Sequence, residues 1–224
     1  MARLVRRFPA MLRTVPFSPV LTSFTTAGSF SYKVPVGAAY VDVILIGAGG
    51  GGGGGGWSGN TYGGGGGAGQ WQAVTLTVGN QISAGGVING TVGAGGGGAG
   101  LFSGPGSPGG STTATASGWA GLTALGGSGQ SGSGNGASPG NFVFDNVTYI
   151  GGTGGPRVAG NGTAPGAGGG DGLSSYTNGG SGAQGGAFFY AHPPYAPPGF
   201  LAAYAPVKPT SQPGTSQSVT NSRL

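Results

Sequence analysis

Few residues in this chain could do chemistry, and one stretch gathers the best candidates. In "VDVILIGAGGGGGGGGWSG", Val41 to Gly59, the residues Gly47, Gly49 and Gly52 satisfy G-x-G-x-x-G behind a β-branched run, the spacing of a dinucleotide-binding turn. That turn works by opening a helix whose N-terminal amides hold a pyrophosphate, with an acid about 20 positions later for the ribose. Here Gly49 to Gly56 is unbroken glycine, and each glycine costs about 1 kcal/mol in a helix relative to alanine. No helix is expected to start there. The next acid after Asp42 is Asp145, far too late for the ribose. No cofactor is expected.

The remaining inventory is short. Asp42, Asp145 and Asp171 are the only acids and His192 is the only histidine. No two acids lie close in sequence, and no G-x-S-x-G elbow offers a nucleophile. The expectation is therefore no catalytic residue and no enzyme. A metal site needs several His, Cys or acidic ligands converging, which this inventory barely allows, so none is expected. Asp42 lies in a strand-like run, where a carboxylate reads as the acceptor of a structural hydrogen bond. Asn89, Asn146 and Asn161 each begin an N-x-T sequon, a pattern common by chance.

Elements able to position such residues are constrained by composition. Glycine supplies 59 of 224 residues and proline 16, without the G-X-Y period of collagen. Only 5% of residues are charged, which favours collapse over the expanded state of a highly charged disordered chain. A small β core carrying long glycine loops fits both facts, with partner subunits expected to complete it. The net charge of +5 arises mostly from Arg3, Arg6, Arg7 and Arg13, leaving the body nearly neutral. That argues against a nucleic-acid-binding body, which would need clustered cations to neutralise phosphates. Zero cysteines exclude disulfides. No apolar run approaches the roughly 20 residues that span a bilayer as a helix, so no membrane span is expected.

Along the chain, residues 1–21 read as a basic arm broken by Pro9, Pro16 and Pro19. Arg3, Arg6, Arg7, Phe8, Arg13 and Phe17 are its candidate partner anchors, the arginines for acidic grooves and the aromatics for pockets. An Arg-rich transit segment and plain disorder are the alternatives. Residues 22–192 read as a glycine-rich β domain. Phe24, Phe30, Tyr32, Val34 and Val36 mark strand-like runs, Tyr40 to Ile46 a buried strand, and Trp71 to Val78 a half-buried strand closed by a turn at Gly79-Asn80. From Gly90 onward, glycine tracts alternate with short apolar islands that add edge strands or stack between glycine runs. Glycine runs packed side by side can adopt polyproline-II geometry with amides free to bond between neighbours. "GGAFFYAH" reads as a closing strand, and residues 193–224 as a Pro/Ser/Thr-rich tail. The expected fold is all-β: a small antiparallel β-sandwich with long polyproline-II-like polyglycine loops and extended N- and C-terminal arms.

The succession "FTTAGSFSYKVPVGAAYVDVILIGAGGGGGG", "GGAGQWQAVTLTV", "TVGAGGGGAG", "SPGGSTTAT" and "LTALGGSG" resembles the glycine-rich domain of bacteriophage minor tail proteins, particularly those of mycobacteriophages and other actinobacteriophages. The match covers about Thr22 to His192. The Val-Pro-x-Gly turn leading to Val-Asp-Val and then polyglycine is its most specific part. The resemblance implies a structural virion protein at the tail tip, assembled in the host cytoplasm with other tail-tip proteins. It also implies a homotrimer with glycine-rich loops exposed to contact a glycan or protein of the host envelope. Trp57, Tyr62 and Trp119 are the candidate host contacts, since large aromatics at loop tips give stacking platforms; the alternative is packing between glycine layers. For Trp71 the strand pattern favours the core. The rival readings are a bacterial cell-surface or wall glycine-rich protein, a decoration protein of the capsid or tail tube, and an ice-binding module.

Overall fold

Alternating β-branched and aromatic residues give ten strands and, among the described residues, no helix. In this computed structural model the described residues are 17–55, 64–101, 103–130, 134–172 and 177–194. The strands are β1 (Val20–Phe24), β2 (Gly28–Lys33), β3 (Tyr40–Ile46), β4 (Trp71–Thr77), β5 (Val87–Val92), β6 (Thr112–Ala116), β7 (Trp119–Ala124), β8 (Phe142–Phe144), β9 (Val147–Tyr149) and β10 (Gly186–His192). Every pairing between them is antiparallel. One four-stranded sheet runs β1-β10-β3-β4 and a second runs β2-β5-β6-β7, while β8 and β9 form a separate hairpin. The all-β antiparallel sandwich expected from sequence is the architecture of the molecule. β1 begins at Val20, so the last residues assigned above to the arm belong to the sheet.

The period of two along each strand decides what is buried between the sheets. Val41, Val43 and Leu45 of β3 and Ala187, Phe189 and Ala191 of β10 point inward, where they meet Phe30, Tyr32, Ile88, Val92, Ala114 and Ala124 of the second sheet. Phe189 is the centre of this core, stacked on Tyr32 with ring centroids 4.3 Å apart. Gly90 lies opposite Phe30 in the register, and a side chain there would collide with the Phe30 ring. β10 does more than close the domain: it lies between β1 and β3, at the centre of its sheet.

The other face of β3 carries Asp42, Ile44 and Ile46, each fully buried. The β8–β9 hairpin lies over this side. Its Phe142 ring stacks on Trp71 of β4 at 5.4 Å, and its Tyr149 ring meets Phe188 of β10 at 5.4 Å. Trp71 is thus half-buried in this outer aromatic layer, not in the core between the sheets.

Beyond Ile46 the chain enters a construction with no side-chain core. Residues 47–55 are all buried, and their amides follow a strict period of three. Gly47, Gly50 and Gly53 donate to the carbonyls of Gln70, Gly67 and Gly64; Ala48, Gly51 and Gly54 donate to Gly110, Ser107 and Gly104; Gly49, Gly52 and Gly55 donate to Ala183, Gly180 and Thr177. Each set steps down its partner by three as it steps up its own tract, so these neighbours run antiparallel. The carbonyls answer in kind: Gly127 donates to Ala48, Gly96 and Ala99 to Gly49 and Gly52, and Gly169 and Gly172 to Gly50 and Gly53. A helix with three residues per turn presents its peptide groups in three directions, which is polyproline-II geometry. Six neighbouring tracts surround the central one and satisfy its backbone in the absence of a sheet ladder.

Only glycine allows this spacing. A Cβ at Gly49, Gly50 or Gly52 would overlap the carbonyl oxygen of Ala167, Ser128 or Gly170 respectively. Residues 166–172 form a second fully buried tract in the same array. The resemblance implied exposed glycine-rich loops; residues 47–55 and 166–172 are instead buried, while outer tracts such as 94–101 and 126–130 are partly exposed, and the side-by-side packing expected of glycine runs is what the array shows. Glycine amides bonded to neighbouring tracts need no solvent, whereas a projecting polyglycine loop would give up chain entropy with no burial in return.

Candidate functional site

Two places remain where this body can do something beyond holding itself together. The first is the far end of the glycine array. The central tract leaves the sheets at Gly47, bonded to Gln70 next to β4, and ends near Gly55 and Gly64. At about 3.1 Å per residue in polyproline-II geometry, that end lies about 25 Å from the sheet. Described tract ends gather there, Gly55 beside Thr177 and Gly64 and Gly172 both bonded to Gly53, and the chain turns at Pro156 to Gly160. Arg157 lies at this end. Its Nε and Nη2 each donate to a carboxylate oxygen of Asp171 at 3.3 Å, the arginine half-exposed and the aspartate buried. Val158 and Ala159 take positive φ of 71° and 61° there, and both amides donate to the Asp171 carbonyl.

The second place is a polar cluster on the outer face of the β1-β10-β3-β4 sheet. Register sets Thr75 of β4 opposite Asp42 of β3, with Tyr190 of β10 on its other side. Thr75 Oγ1 donates to Asp42 Oδ1 at 2.7 Å, the structural hydrogen bond expected of this aspartate. The other oxygen, Asp42 Oδ2, receives no hydrogen bond and lies 3.4 Å from His192 Nε2. The His192 ring lies between Tyr40 and Tyr190, with centroids 5.5 and 5.4 Å away, and is 2% exposed. Its Nδ1 is 2.8 Å from the carbonyl oxygen of Pro193. Asp145 closes the cluster from the hairpin, with Thr75 Oγ1 3.5 Å from its Oδ2. The two loop residues, Asp145 and Asn146, have φ of 46° and 62°, the doubly positive signature of a type I′ turn, and this turn aims Asp145 back at the sheet. Burial pushes the Asp42 carboxyl above the ordinary carboxylate range, against the lowering effects of the Thr75 hydrogen bond and His192.

The residues proposed from sequence fall differently. Arg3, Arg6, Arg7, Phe8 and Arg13, and likewise Trp57 and Tyr62, lie outside the described residues. Phe17 is half-buried against the sandwich core, its ring over Gly37. Trp119 opens β7 and is half-buried against the same core, the packing alternative weighed for it above. The convergence of Asp42, Asp145 and His192 was not anticipated, because no local spacing encodes it. The one hint was that a chain with so few ionisable groups places two of them in apolar strands.

Comparison with known proteins finds a family and two phage relatives. The glycine-rich domain family matches residues 25–192. The Gene 32 protein of Mycobacterium phage L5 is 48% identical over 191 residues, covering 79% of this chain and 83% of that protein. The Gene 32 protein of Mycobacterium phage D29 is 41% identical over 191 residues, covering 79% and 85%. No helix among the described residues is long and apolar enough to cross a membrane.

Proposed function

The chain belongs to the glycine-rich domain family and is a phage protein, and from that premise we propose that it is a non-enzymatic structural component of the virion. In this reading it is a minor tail protein at the tail tip, a homotrimer that assembles with other tail-tip proteins and contacts the host envelope. The observation that carries the reading is the hydrogen-bonded glycine array, which stands off a β-sandwich and brings the tract ends Gly55, Gly64, Gly172 and Thr177 together away from it. A body stiffened by backbone bonds in six directions suits a protein that holds the connections between its tracts at a distance from its sheets. Trp57 and Tyr62 fall in sequence between Gly55 and Gly64, and large aromatic side chains of this kind offer stacking surfaces to a glycan or a protein. The arginines of residues 1–16 supply the complementary role of anchoring to a partner in the particle.

Quantitative mass spectrometry of purified virions tests this directly. A few copies per particle, in a multiple of three, is the expected result. Absence from the particle overturns the virion role, and hundreds of copies overturn the tail-tip position in favour of capsid or tail-tube decoration. Deleting Ala2 to Pro16 is expected to leave the sandwich folded while abolishing incorporation; normal incorporation would remove the anchoring role.

A further inference from the structure

His192 Nε2 and Asp42 Oδ2 lie 3.4 Å apart on the outer face of the sheet, both residues buried. The Pro193 carbonyl can only accept, so the 2.8 Å contact places a proton on His192 Nδ1 and directs Nε2 toward the carboxylate. Asp42 Oδ2 has no hydrogen-bond donor, and Asp145 brings a second carboxylate to the same place. One imidazole nitrogen and two carboxylates thus converge on one point, a donor set that suits a divalent cation.

We propose that Asp42, Asp145 and His192 form a binding site for a divalent transition cation, zinc being the best match to the donors, and that the cation clamps the β8–β9 hairpin onto the outer face of the β1-β10-β3-β4 sheet. One ligand atom from each of the three lies within 4.8 Å of the others. Around tetrahedral zinc, with bonds of about 2.0–2.2 Å, ligand atoms stand about 3.4 Å apart, the separation His192 Nε2 and Asp42 Oδ2 already have. The closure required is about 1.4 Å at most, and Asp145, exposed on a two-residue turn, can supply it. An imidazole nitrogen among the donors selects zinc over calcium or magnesium, which favour all-oxygen sets. The second shell is already built: the Pro193 carbonyl orients the histidine, Tyr40 and Tyr190 flank its ring, and Thr75 orients Asp42. The three ligands come from β3, β10 and the β8–β9 turn. The cation would thus tie a hairpin of two three-residue strands, too short to be stable alone, to the centre of the fold.

The test uses the tag-free full chain, stripped with a chelator and dialysed. Because the chain has one histidine and no cysteine, competing zinc sites are scarce. Calorimetric titration with zinc chloride is expected to show one site per chain and a raised melting temperature, with no competition from equimolar calcium or magnesium. Cobalt chloride is expected to give visible d–d absorption that zinc displaces. Asp145→Asn changes an exposed turn residue, and asparagine tolerates its positive φ, so the fold is retained while zinc affinity falls at least about tenfold. His192→Gln is expected to abolish the cobalt spectrum. No zinc heat and no thermal shift in the parent chain would overturn the proposal, as would an unchanged zinc affinity in Asp145→Asn.

Discussion

Gly52 donates its amide to the carbonyl oxygen of Gly180 at 2.8 Å, while the place where its Cβ would stand is filled by the carbonyl oxygen of Gly170. The same residue is thus a hydrogen-bond donor on one side and a contact surface on the other. The array depends on both properties, and only the second requires glycine.

Substitution within the array should therefore sort by position. Gly52→Ala forces a Cβ into backbone atoms that have no flexible end to move, and is expected to cost about 3 kcal/mol or more. Gly97→Ala, exposed and with open space where the Cβ would stand, is expected to be neutral or slightly stabilising, by up to about 1 kcal/mol through the unfolded chain. Urea unfolding of the two variants measures the difference. Equal stability would mean that the array does not hold its spacing in solution.

Tyr32 predicts an alkaline limit to stability. Its hydroxyl is buried without a hydrogen-bond partner, and burial pushes its pKa up from 10.0 to about 12. The unfolded chain gives up this proton near pH 10 and the folded chain only near pH 12, so between those values the folded state holds more protons. Stability contributed by this group is intact below pH 10 and is lost as pH rises through that window, by up to about 3 kcal/mol in all. Tyr32→Phe is expected to flatten the profile and to leave stability at neutral pH unchanged or improved, since the phenyl ring keeps the stack on Phe189. Denaturant midpoints at about pH 9 and about pH 11.5 compare the two.

The elements that sequence made legible are those whose side chains alternate. Tyr40 to Ile46, Trp71 onward, the Gly79-Asn80 turn and the strand at Gly186 to His192 all follow from periods of two and turn chemistry. The placement of β10 between β1 and β3 does not, because pairing order leaves no mark on local pattern. The glycine tracts carry no side chains, so hydrophobic periodicity is silent there. Their period of three lives in the backbone, and nothing in a run of identical residues says which neighbour each amide will find. Asp42 was read correctly as a hydrogen-bond acceptor, but its meeting with Asp145 and His192 depends on a hairpin folding back across the sheet. A long-range contact of that kind has no spacing to read.

Arg157 and Asp171 form a lopsided ion pair at the far end of the array, the carboxylate 1% exposed and the arginine side chain 49%. Removing the arginine strands a buried charge, whereas Asp171→Asn leaves an arginine free to turn to water. Arg157→Ala is therefore expected to cost about 2 kcal/mol and Asp171→Asn less, the half-exposed cation keeping both below the range of fully buried pairs. A double-mutant cycle with thermal melts at low and at about 1 M salt separates the pair's coupling from packing losses. A larger penalty for Asp171→Asn than for Arg157→Ala would show that Asp171 acts through the glycine tract around it more than through the ion pair.

The β8–β9 hairpin should behave as a separable cover on the sheet. Asp145 and Asn146 both hold positive φ, a conformation that costs an asparagine more than a glycine, and Asp-Gly is the preferred pair for a type I′ turn. Asn146→Gly is expected to stabilise the hairpin by about 0.5 kcal/mol, seen as slower amide exchange at Val143 and Thr148, which pair across it. Phe142→Ala acts in the opposite direction. It removes the ring stacked on Trp71 and opens a path for water to the aromatic layer above Ile44 and Ile46. Exchange in β8 and β9 should then rise sharply while β5, β6 and β7, in the other sheet, keep their protection. Were exchange to rise equally in both sheets, the hairpin would be part of the global folding unit, and the clamp proposed at Asp145 would act on the whole domain.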